Sequence, residues 1–268
     1  MNEQHLFTLF CKNLSKYVSS GSDCQVEFSD RDLWQRLTKV LRLRAGEKLL
    51  LFDEHINAVA VVLEKTFAKK ELLALYIESV NPNQAIKPNI TLMPCLLKKD
   101  AFEDIIYAAA QMGVNKVIPI LSGKVQRSWG EKKERERLFN IMVAACEQSK
   151  NFFLPEICEP VKIQELSKQT NLCLSHGQSN LNIYFDPSGA SFVDLLNKIK
   201  AATEKKVTTE KDATDLNIFL FFGPEGGLTV LEERLLSDLG FKTYALTPTI
   251  LRAREAVIVG LGGVRSAR

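Results

Sequence analysis

The chain is predicted to be an α/β protein with a parallel sheet, preceded by a smaller β-rich unit. Three observations lead there. From Ile90 onward, short apolar runs alternate with stretches of helical period, the pattern of a parallel sheet covered by helices. One of those runs, Ile218 to Phe222, is apolar without interruption, as a strand buried on both faces must be. Before residue 80 the apolar segments are short and separated by turn-forming residues, and a polar stretch broken by prolines follows them.

In the first part, Asp30 to Lys39 reads as a short helix with Asp30 as its N-cap. Lys48 to Asp53, Ala58 to Leu63 and Leu72 to Ile77 read as strands. Residues 81–89, Asn-Pro-Asn-Gln-Ala-Ile-Lys-Pro-Asn, read as the linker. Ile90 to Leu97 is the next strand. Asp100 is expected to cap a helix running to Met112, with Phe102, Ile105, Ile106 and Ala109 on its buried face and Gly113 as its stop. Lys116 to Leu121 reads as a strand, and residues 131 to 149 as a helix buried through Leu138, Ile141, Met142 and Ala145. A short strand is expected at Leu172 to Ser175 and a helix at Phe192 to Ala201. The run Thr203 to Asp215 is charged and aperiodic, so it reads as a mobile surface loop. Thr229-Val-Leu-Glu232 is a capping box opening a helix that stops at Gly240. Phe241 to Leu246 is a strand, and a last helix begins near Arg252 and carries Val257, Ile258 and Leu261. There is no internal repeat.

A length of 268 residues allows one or two domains, and 46% hydrophobic with 25% charged residues is ordinary for a soluble globular protein. No apolar run approaches the roughly 20 residues that span a bilayer. The opening Met-Asn-Glu-Gln-His-Leu lacks the basic flank and apolar core of a signal peptide, so a cytoplasmic location is expected. Six cysteines, at 11, 24, 95, 146, 158 and 173, have neither CxxC nor Cys/His spacing. Free thiols in a reducing compartment are expected, with no metal site. A net charge of +3 does not by itself indicate a nucleic-acid partner. Lys39, Arg42, Arg44 and Lys48 crowd one segment; Lys124, Arg127, Lys132, Lys133, Arg135 and Arg137 crowd another. Each cluster reads either as a solvated face or as an RNA contact.

The motif with most chemistry is Gly223-Pro-Glu-Gly-Gly227-Leu-Thr229, directly after the buried strand. It is not a P-loop, because no Lys-Ser/Thr follows the glycines, and it is not GxGxxG. It is not a nucleophile elbow either, since no serine lies between the glycines. Two readings remain: a plain tight turn, or a loop whose bare backbone a ligand approaches. Ligands of open α/β sheets bind beyond the carboxyl ends of the strands, where this turn lies. Glu225 within it can bind a ligand or hold a neighbouring loop. Arg252 and Arg254 stand at the start of the last helix, where the macrodipole disfavours cations. They point either to an anionic ligand or to ion pairing with Glu255 or another carboxylate. The three histidines, at 5, 55 and 176, are dispersed; His176, after a predicted strand, reads as structural or exposed more readily than as catalytic. Glu147-Gln148-Ser149 ends a helix and faces either a site or solvent.

Together these motifs resemble the RsmE family of ribosomal RNA methyltransferases, within the SPOUT class. The resemblance rests on Leu37 to Gly46, Leu51-Phe-Asp53, Lys98-Lys99-Asp100, Gly113-Val114 and Val117 to Leu121. Ala144 to Ser149 with Leu154-Pro-Glu156, then Gly223 to Gly227, Ile250-Leu-Arg252 and Ala256, complete it. It implies a PUA-like β-barrel at residues 1–80, a linker at 81–89, and a SPOUT parallel-sheet domain at 90–268 whose C-terminal helix threads a trefoil knot. It further implies a homodimer that methylates N-3 of a uridine in small-subunit (16S) ribosomal RNA with S-adenosyl-L-methionine. Catalytic roles are implied for Arg252 and Glu225. Cofactor binding is implied for Leu220, Gly223, Pro224, Glu225, Gly226 and Gly227, and for Leu246, Thr247, Ile250, Leu251 and Ala256. RNA binding is implied for Arg42, Arg44, Lys98, Lys99, Lys124, Arg127, Gln148 and Ser149. The chain departs from the family pattern at Thr247, Thr249, Arg254 and Glu255 in the last loop, and at Ala108, Gln111 and Asn151. Two alternatives stay open: a knotted methyltransferase of another RNA nucleotide, or a catalytically impaired RNA-binding assembly factor.

Overall fold

A computed structural model describes residues 6–18, 22–125, 127–168, 180–207 and 216–267. The chain divides into two units, Met1–Gln84 with Cys146–Leu154, and Ala85–Ala145 with Pro155–Arg268.

The first unit contains β1 (Phe7–Phe10), α1 (Leu14–Tyr17), β2 (Cys24–Ser29) and α2 (Arg31–Gln35), which runs on as a π-helical stretch at Arg36–Val40. Next come β3 (Lys48–Phe52), β4 (Ile56–Val62), α3 (Lys65–Ala68) and β5 (Leu72–Pro82). The expected cap is present: the Asp30 carboxylate accepts the Leu33 N–H at 2.9 Å. Strand order is β1-β3-β4-β5-β2, parallel at β1–β3 and antiparallel elsewhere. Two strands went unforeseen, β1 and β2, and they form the edges of the sheet; no closed barrel is present among the described residues. The strand expected to end at Ile77 continues to Pro82, into the segment expected as linker. Leu37, Leu49, Leu51, Leu73, Leu75 and Ile77 are fully buried at the centre. Asp53 is also fully buried. Burial raises its pKa, but N–H donors from Ser15 (2.7 Å), His55 (2.8 Å) and Ile56 (2.9 Å) outweigh it and hold the carboxylate below its usual range.

The second unit opens with β6 (Asn89–Pro94), α4 (Lys99–Gln111), β7 (Lys116–Val117) and β8 (Ile120–Leu121). Helix α5 (Glu131–Ser149) follows, its residues from Cys146 onward belonging to the first unit. Then come β9 (Glu156–Ile157), β10 (Val161–Lys162), a 3₁₀ turn at Ile163–Lys168, β11 (Asn180–Ser191) and α6 (Phe192–Val207). The order ends with β12 (Asn217–Phe222), α7 (Val230–Asp238), β13 (Lys242–Ala245) and α8 (Ala253–Ser266). Six strands form one parallel sheet in the order β13-β11-β12-β6-β7-β9, while β8 and β10 pair separately.

Several expectations are corrected here. The strand expected over Lys116 to Leu121 is two strands in different sheets, because Pro119 lies between them and has no N–H to continue a ladder. Lys98, not Asp100, stands at the N-cap of α4; Asp100 lies in the first turn, where its charge still suits the dipole. Thr203 to Val207 are helical rather than loop, and residues 208–215 lie outside the described residues. So do the expected strand Leu172 to Ser175, His5, His176 and Cys173. Of the apolar residues carried by the last helix, Val257 and Leu261 are buried and Ile258 is exposed. Strand β11, the neighbour of β12, was not foreseen at all.

Register and helix placement have local causes. At the amino ends of the strands, Asn89 donates to Asn217 and Asn217 to Asn180, each at 3.1 Å. This asparagine ladder ties β6, β12 and β11 in one register. Phe219 and Phe221 pack with Leu236 of α7 and Phe241 on one face of the sheet. On the other face α8 lies over β12. Its Gly260 permits this, since a Cβ there would come within 2.9 Å of the Phe222 ring. The last turn of α8 is pinned by Arg265, whose guanidinium donates to the carbonyls of Met112 (2.9 Å), Gly113 (2.7 Å), Pro88 (3.0 Å) and Ile86 (3.3 Å). A planar cation thus satisfies the carbonyl end of α4 and the entry segment together. Arg265→Met is expected to lower stability to urea by about 3 kcal/mol, given the usual worth of charge-assisted hydrogen bonds. Arg265→Lys, with a point charge in place of the fork, should recover less than half of that. An unchanged unfolding midpoint in Arg265→Met contradicts this role.

Candidate functional site

Strands β12 and β13 end beside the middle of β11, where its pairing with β13 shifts register between Phe185 and Ala190, and these segments line one cavity of about 570 Å³. Tyr184 to Pro187 come from β11, Phe222 to Glu225 with Gly227 from β12, and Leu246 to Ala256 from the stretch after β13. The volume is that of a small-molecule site. Two of its walls are aromatic, with Phe185 and Phe222 stacked at 4.8 Å.

The glycine-rich turn is fixed from outside the pocket. Gly227 has φ +68°, a backbone region that side chains resist, and its N–H closes the turn on the Pro224 carbonyl at 2.9 Å. Lys124 donates to the carbonyls of Gly226 (2.7 Å) and Leu228 (3.3 Å). The Thr229 capping box is formed as expected. Its carboxylate, Glu232, accepts from the Thr229 N–H (2.8 Å), the Thr229 hydroxyl (2.9 Å) and the Gly123 N–H (2.7 Å). Glu232 is 4% exposed. Burial raises its pKa, and the N–H donors of Thr229 and Gly123, the Thr229 hydroxyl and the Lys124 charge more than offset that, leaving a lowered pKa.

The loop after β13 closes the other side. The Thr247 hydroxyl donates to the Thr249 carbonyl at 2.6 Å, and Ile250 is 84% exposed. The two arginines of the loop separate in role. Arg254 turns to acids, pairing with Asp104 (2.8 Å) and Glu255 (2.6 Å). Arg252, at the N-cap position of α8, is exposed and lines the pocket; its carbonyl accepts the Ala256 N–H at 2.9 Å, and its side chain makes no hydrogen bond or ion pair among the described residues. On the β11 side, the Asp186 carboxylate is held by the Ser188 N–H (2.9 Å) and hydroxyl (2.6 Å).

Most residues expected at a cofactor site meet in this cavity: Gly223, Pro224, Glu225 and Gly227 from one strand end, Leu246, Thr247, Ile250, Leu251, Arg252 and Ala256 from the other. Two do not line it. Leu220 is fully buried inside β12, and Gly226 faces Lys124. Tyr184 to Pro187 were missed with their strand, although Leu-Asn-Ile-Tyr-Phe before Asp-Pro-Ser-Gly has the same apolar-run-then-turn composition as the segment around Gly223. Of the basic residues expected to meet RNA in this unit, Lys98 and Lys99 are exposed at the start of α4. Lys124 and Arg127 also have partners within the protein. Lys124 holds the glycine-rich turn, and Arg127 pairs with Glu134 and donates to the Leu97 carbonyl.

The first unit holds the remaining predicted residues. Arg42 and Arg44 are exposed, Gln148 is exposed and Ser149 half-buried at the end of α5. Glu147 is not turned to a site or to solvent. Arg36 grips it with both guanidinium nitrogens (2.8 and 2.5 Å), and the Phe10 N–H donates to it at 2.8 Å. Asn151 is buried, its side chain exchanging hydrogen bonds with the main chain of Phe153 at 3.2 Å.

Residues 85–264 match the family model described as an RNA methyltransferase domain. The chain belongs to that family. Over 253 residues this RNA methyltransferase is 26% identical to the ribosomal RNA small subunit methyltransferase E of Rickettsia conorii, covering 93% of each chain. It is 23% identical to the Bacillus subtilis protein of the same name over 231 residues, 85% of each. A crystal structure of the ribosomal RNA small subunit methyltransferase E of Neisseria gonorrhoeae, bound to S-adenosyl methionine, matches with a TM-score of 0.72 at 22% identity over 98% of both chains. That likeness establishes a shared mixed α/β fold.

The Glu232 linkage gives a pH test. A carboxylate whose pKa is lowered on folding adds stability above its unfolded pKa, about 4.3, and loses it as pH falls through the folded value. Glu232→Gln is therefore expected to cost about 2 kcal/mol at neutral pH, measured by chemical denaturation, and much less near pH 3. A loss that is equal at both pH values contradicts the assignment.

Proposed function

We propose that this RNA methyltransferase transfers a methyl group from S-adenosyl-L-methionine to N-3 of a uridine in small-subunit (16S) ribosomal RNA. The observation that carries the reading is Arg252, a cation without an ion pair among the described residues, in the wall of a pocket where β12 and β13 end beside β11. The names of the relatives from Rickettsia conorii and Bacillus subtilis supply the substrate class. The residues present suit the cofactor. Phe185, Phe222, Leu246 and Leu251 offer apolar surface to an adenine and a methionine chain, and the turn and loop backbone offers N–H and C=O groups to polar edges. Glycine at 223 keeps open the space beside the Tyr184 hydroxyl, which a Cβ would enter to within 3.7 Å.

Bound there, S-adenosylmethionine supplies a methyl group on a sulfonium. N-3 of uracil must lose its proton before it can accept that methyl. Arg252 lowers the cost by stabilising the negative charge that develops on the ring, as preorganised charges do in sites of restricted hydration. Glu225, exposed at the pocket edge, is assigned to receive the proton. The loop from Leu246 to Arg252 brings base and cofactor into a near-attack arrangement.

The finer architecture belongs to the same proposal. Residues 1–80 act as a PUA-like RNA-binding unit through Arg42 and Arg44, and residues 90–268 form a SPOUT domain whose last helix threads a trefoil knot. Gln148, Ser149, Lys98 and Lys99 contact RNA. A second copy of the chain covers the exposed Ile258 and Val259 of α8, making a homodimer. No helix among the described residues is long and apolar enough to cross a membrane, which accords with work on ribosomal RNA in the cytoplasm.

Purified protein incubated with S-adenosylmethionine and unmodified small subunits should yield 3-methyluridine on nucleoside mass spectrometry. Label in another nucleoside rejects the assignment of N-3 of uridine. Arg252→Ala should reduce turnover about 100-fold, the usual scale for one preorganised donor, with cofactor affinity changed less than about threefold. An unchanged rate removes Arg252 from the mechanism.

A further inference from the structure

We propose that Asp186 is the counter-charge to the sulfonium of the bound cofactor. It thereby sets the pocket's preference for S-adenosylmethionine over its uncharged product, S-adenosylhomocysteine. The inference rests on the cofactor reading above and concerns a residue outside every motif that pointed to it.

Asp186 is a fixed anion without a cation. Ser188 holds one carboxylate oxygen through its N–H at 2.9 Å and its hydroxyl at 2.6 Å. The Tyr184 hydroxyl reaches the other oxygen at 3.4 Å. Tyr184 is itself immobilised, buried and packed edge-on against Phe221 at 5.7 Å. Among the described residues no lysine or arginine pairs with Asp186, although it is half-buried in the pocket wall. A carboxylate placed in a partly desolvated cleft without a cation costs stability unless a ligand brings the charge.

Among the described residues, the side chains lining the pocket that carry a charge at neutral pH are Asp186, Glu225 and Arg252. Glu225 is exposed, so water and salt screen it. Arg252 is a cation in the pocket that must also receive the sulfonium. Asp186 is then the fixed charge that offsets this like-charge repulsion. Methyl transfer removes the positive charge it answers. The carbon–sulfur bond breaks with its electron pair left on sulfur, the methyl carbon bonds to N-3, and the N-3 proton passes to Glu225 or solvent. Adenine, ribose and the amino-acid end are identical in cofactor and product, so apolar packing and main-chain hydrogen bonds cannot tell them apart. A carboxylate beside the sulfur can, and it favours release of the spent molecule.

The test is calorimetric titration of the whole protein with S-adenosylmethionine and, separately, with S-adenosylhomocysteine. Asp186→Asn, which keeps the shape and removes the charge, should weaken S-adenosylmethionine about tenfold and S-adenosylhomocysteine less than about twofold. That is the scale of one charge contact in a half-exposed cleft. Ser188→Ala, which frees the carboxylate without removing it, should shift the same ratio about threefold, and Asp186→Glu should restore part of it. Equal loss of both ligands in Asp186→Asn, or no loss of either, overturns the inference while leaving the cofactor reading intact. Wild-type protein that binds neither ligand overturns both.

Discussion

The close approach of α8 to the centre of the parallel sheet is the constraint on which the pocket depends. Gly260 makes the approach possible by leaving room for the Phe222 ring, and a Cβ there would also come within 3.2 Å of Phe185. Those two rings, stacked on each other, are also pocket walls. Helix position, strand spacing and pocket shape are therefore one packing problem. Cores of protein density transmit such constraints because they contain little free volume. The far end of α8 is anchored by Arg265 on four main-chain carbonyls, and the near end carries Arg252. A helix held at its middle and its end leaves its first residue defined against the glycine-rich turn.

Charge in this molecule divides by partnership. Glu232, Lys124, Arg254, Arg265, Glu147 and Arg36 all spend their charge on protein groups and hold turns, helix ends or loops. Arg254 illustrates the principle. It stands in the first turn of a helix, where a cation is disfavoured, and Asp104 and Glu255 compensate it there. Arg252 sits two residues earlier in the wall of the pocket, with no direct ion pair of its own among the described residues, its charge reaching Glu255 only at longer range. The same contrast separates Glu232, surrounded by donors from the protein, from Asp186, which pairs with no cation among the described residues. Function is read most readily from the charges that the fold leaves unanswered.

Sequence made the local features legible and the long-range ones hardly at all. Strand β12, the Thr229–Glu232 box, the Asp30 cap and the stop of α4 at Gly113 each follow from a few neighbouring residues. Strand β11 escaped because its first part alternates asparagine with apolar residues and its second contains Asp-Pro-Ser-Gly, which signals a turn. Its place between β13 and β12 depends on pairings with both neighbours, and a linear pattern does not record them. Pairing likewise splits the stretch around Pro119. That Lys124 also holds the glycine-rich turn was not legible, because its acceptors, Gly226 and Leu228, lie about 100 residues further along. The glycine-rich turn and the Ile-Leu-Arg loop were recognisable as motifs. That they face one cavity, with Asp186 in its wall, needed coordinates.

The central claim is that the pocket at these strand ends serves methylation of a uridine on the small ribosomal subunit. Mass-spectrometric mapping of ribosomal RNA from a strain lacking this protein tests it most directly. The account predicts the loss of one 3-methyluridine from small-subunit RNA, with the other modifications unchanged and the methyl restored by the wild-type gene. Persistence of every uridine N-3 methyl contradicts it.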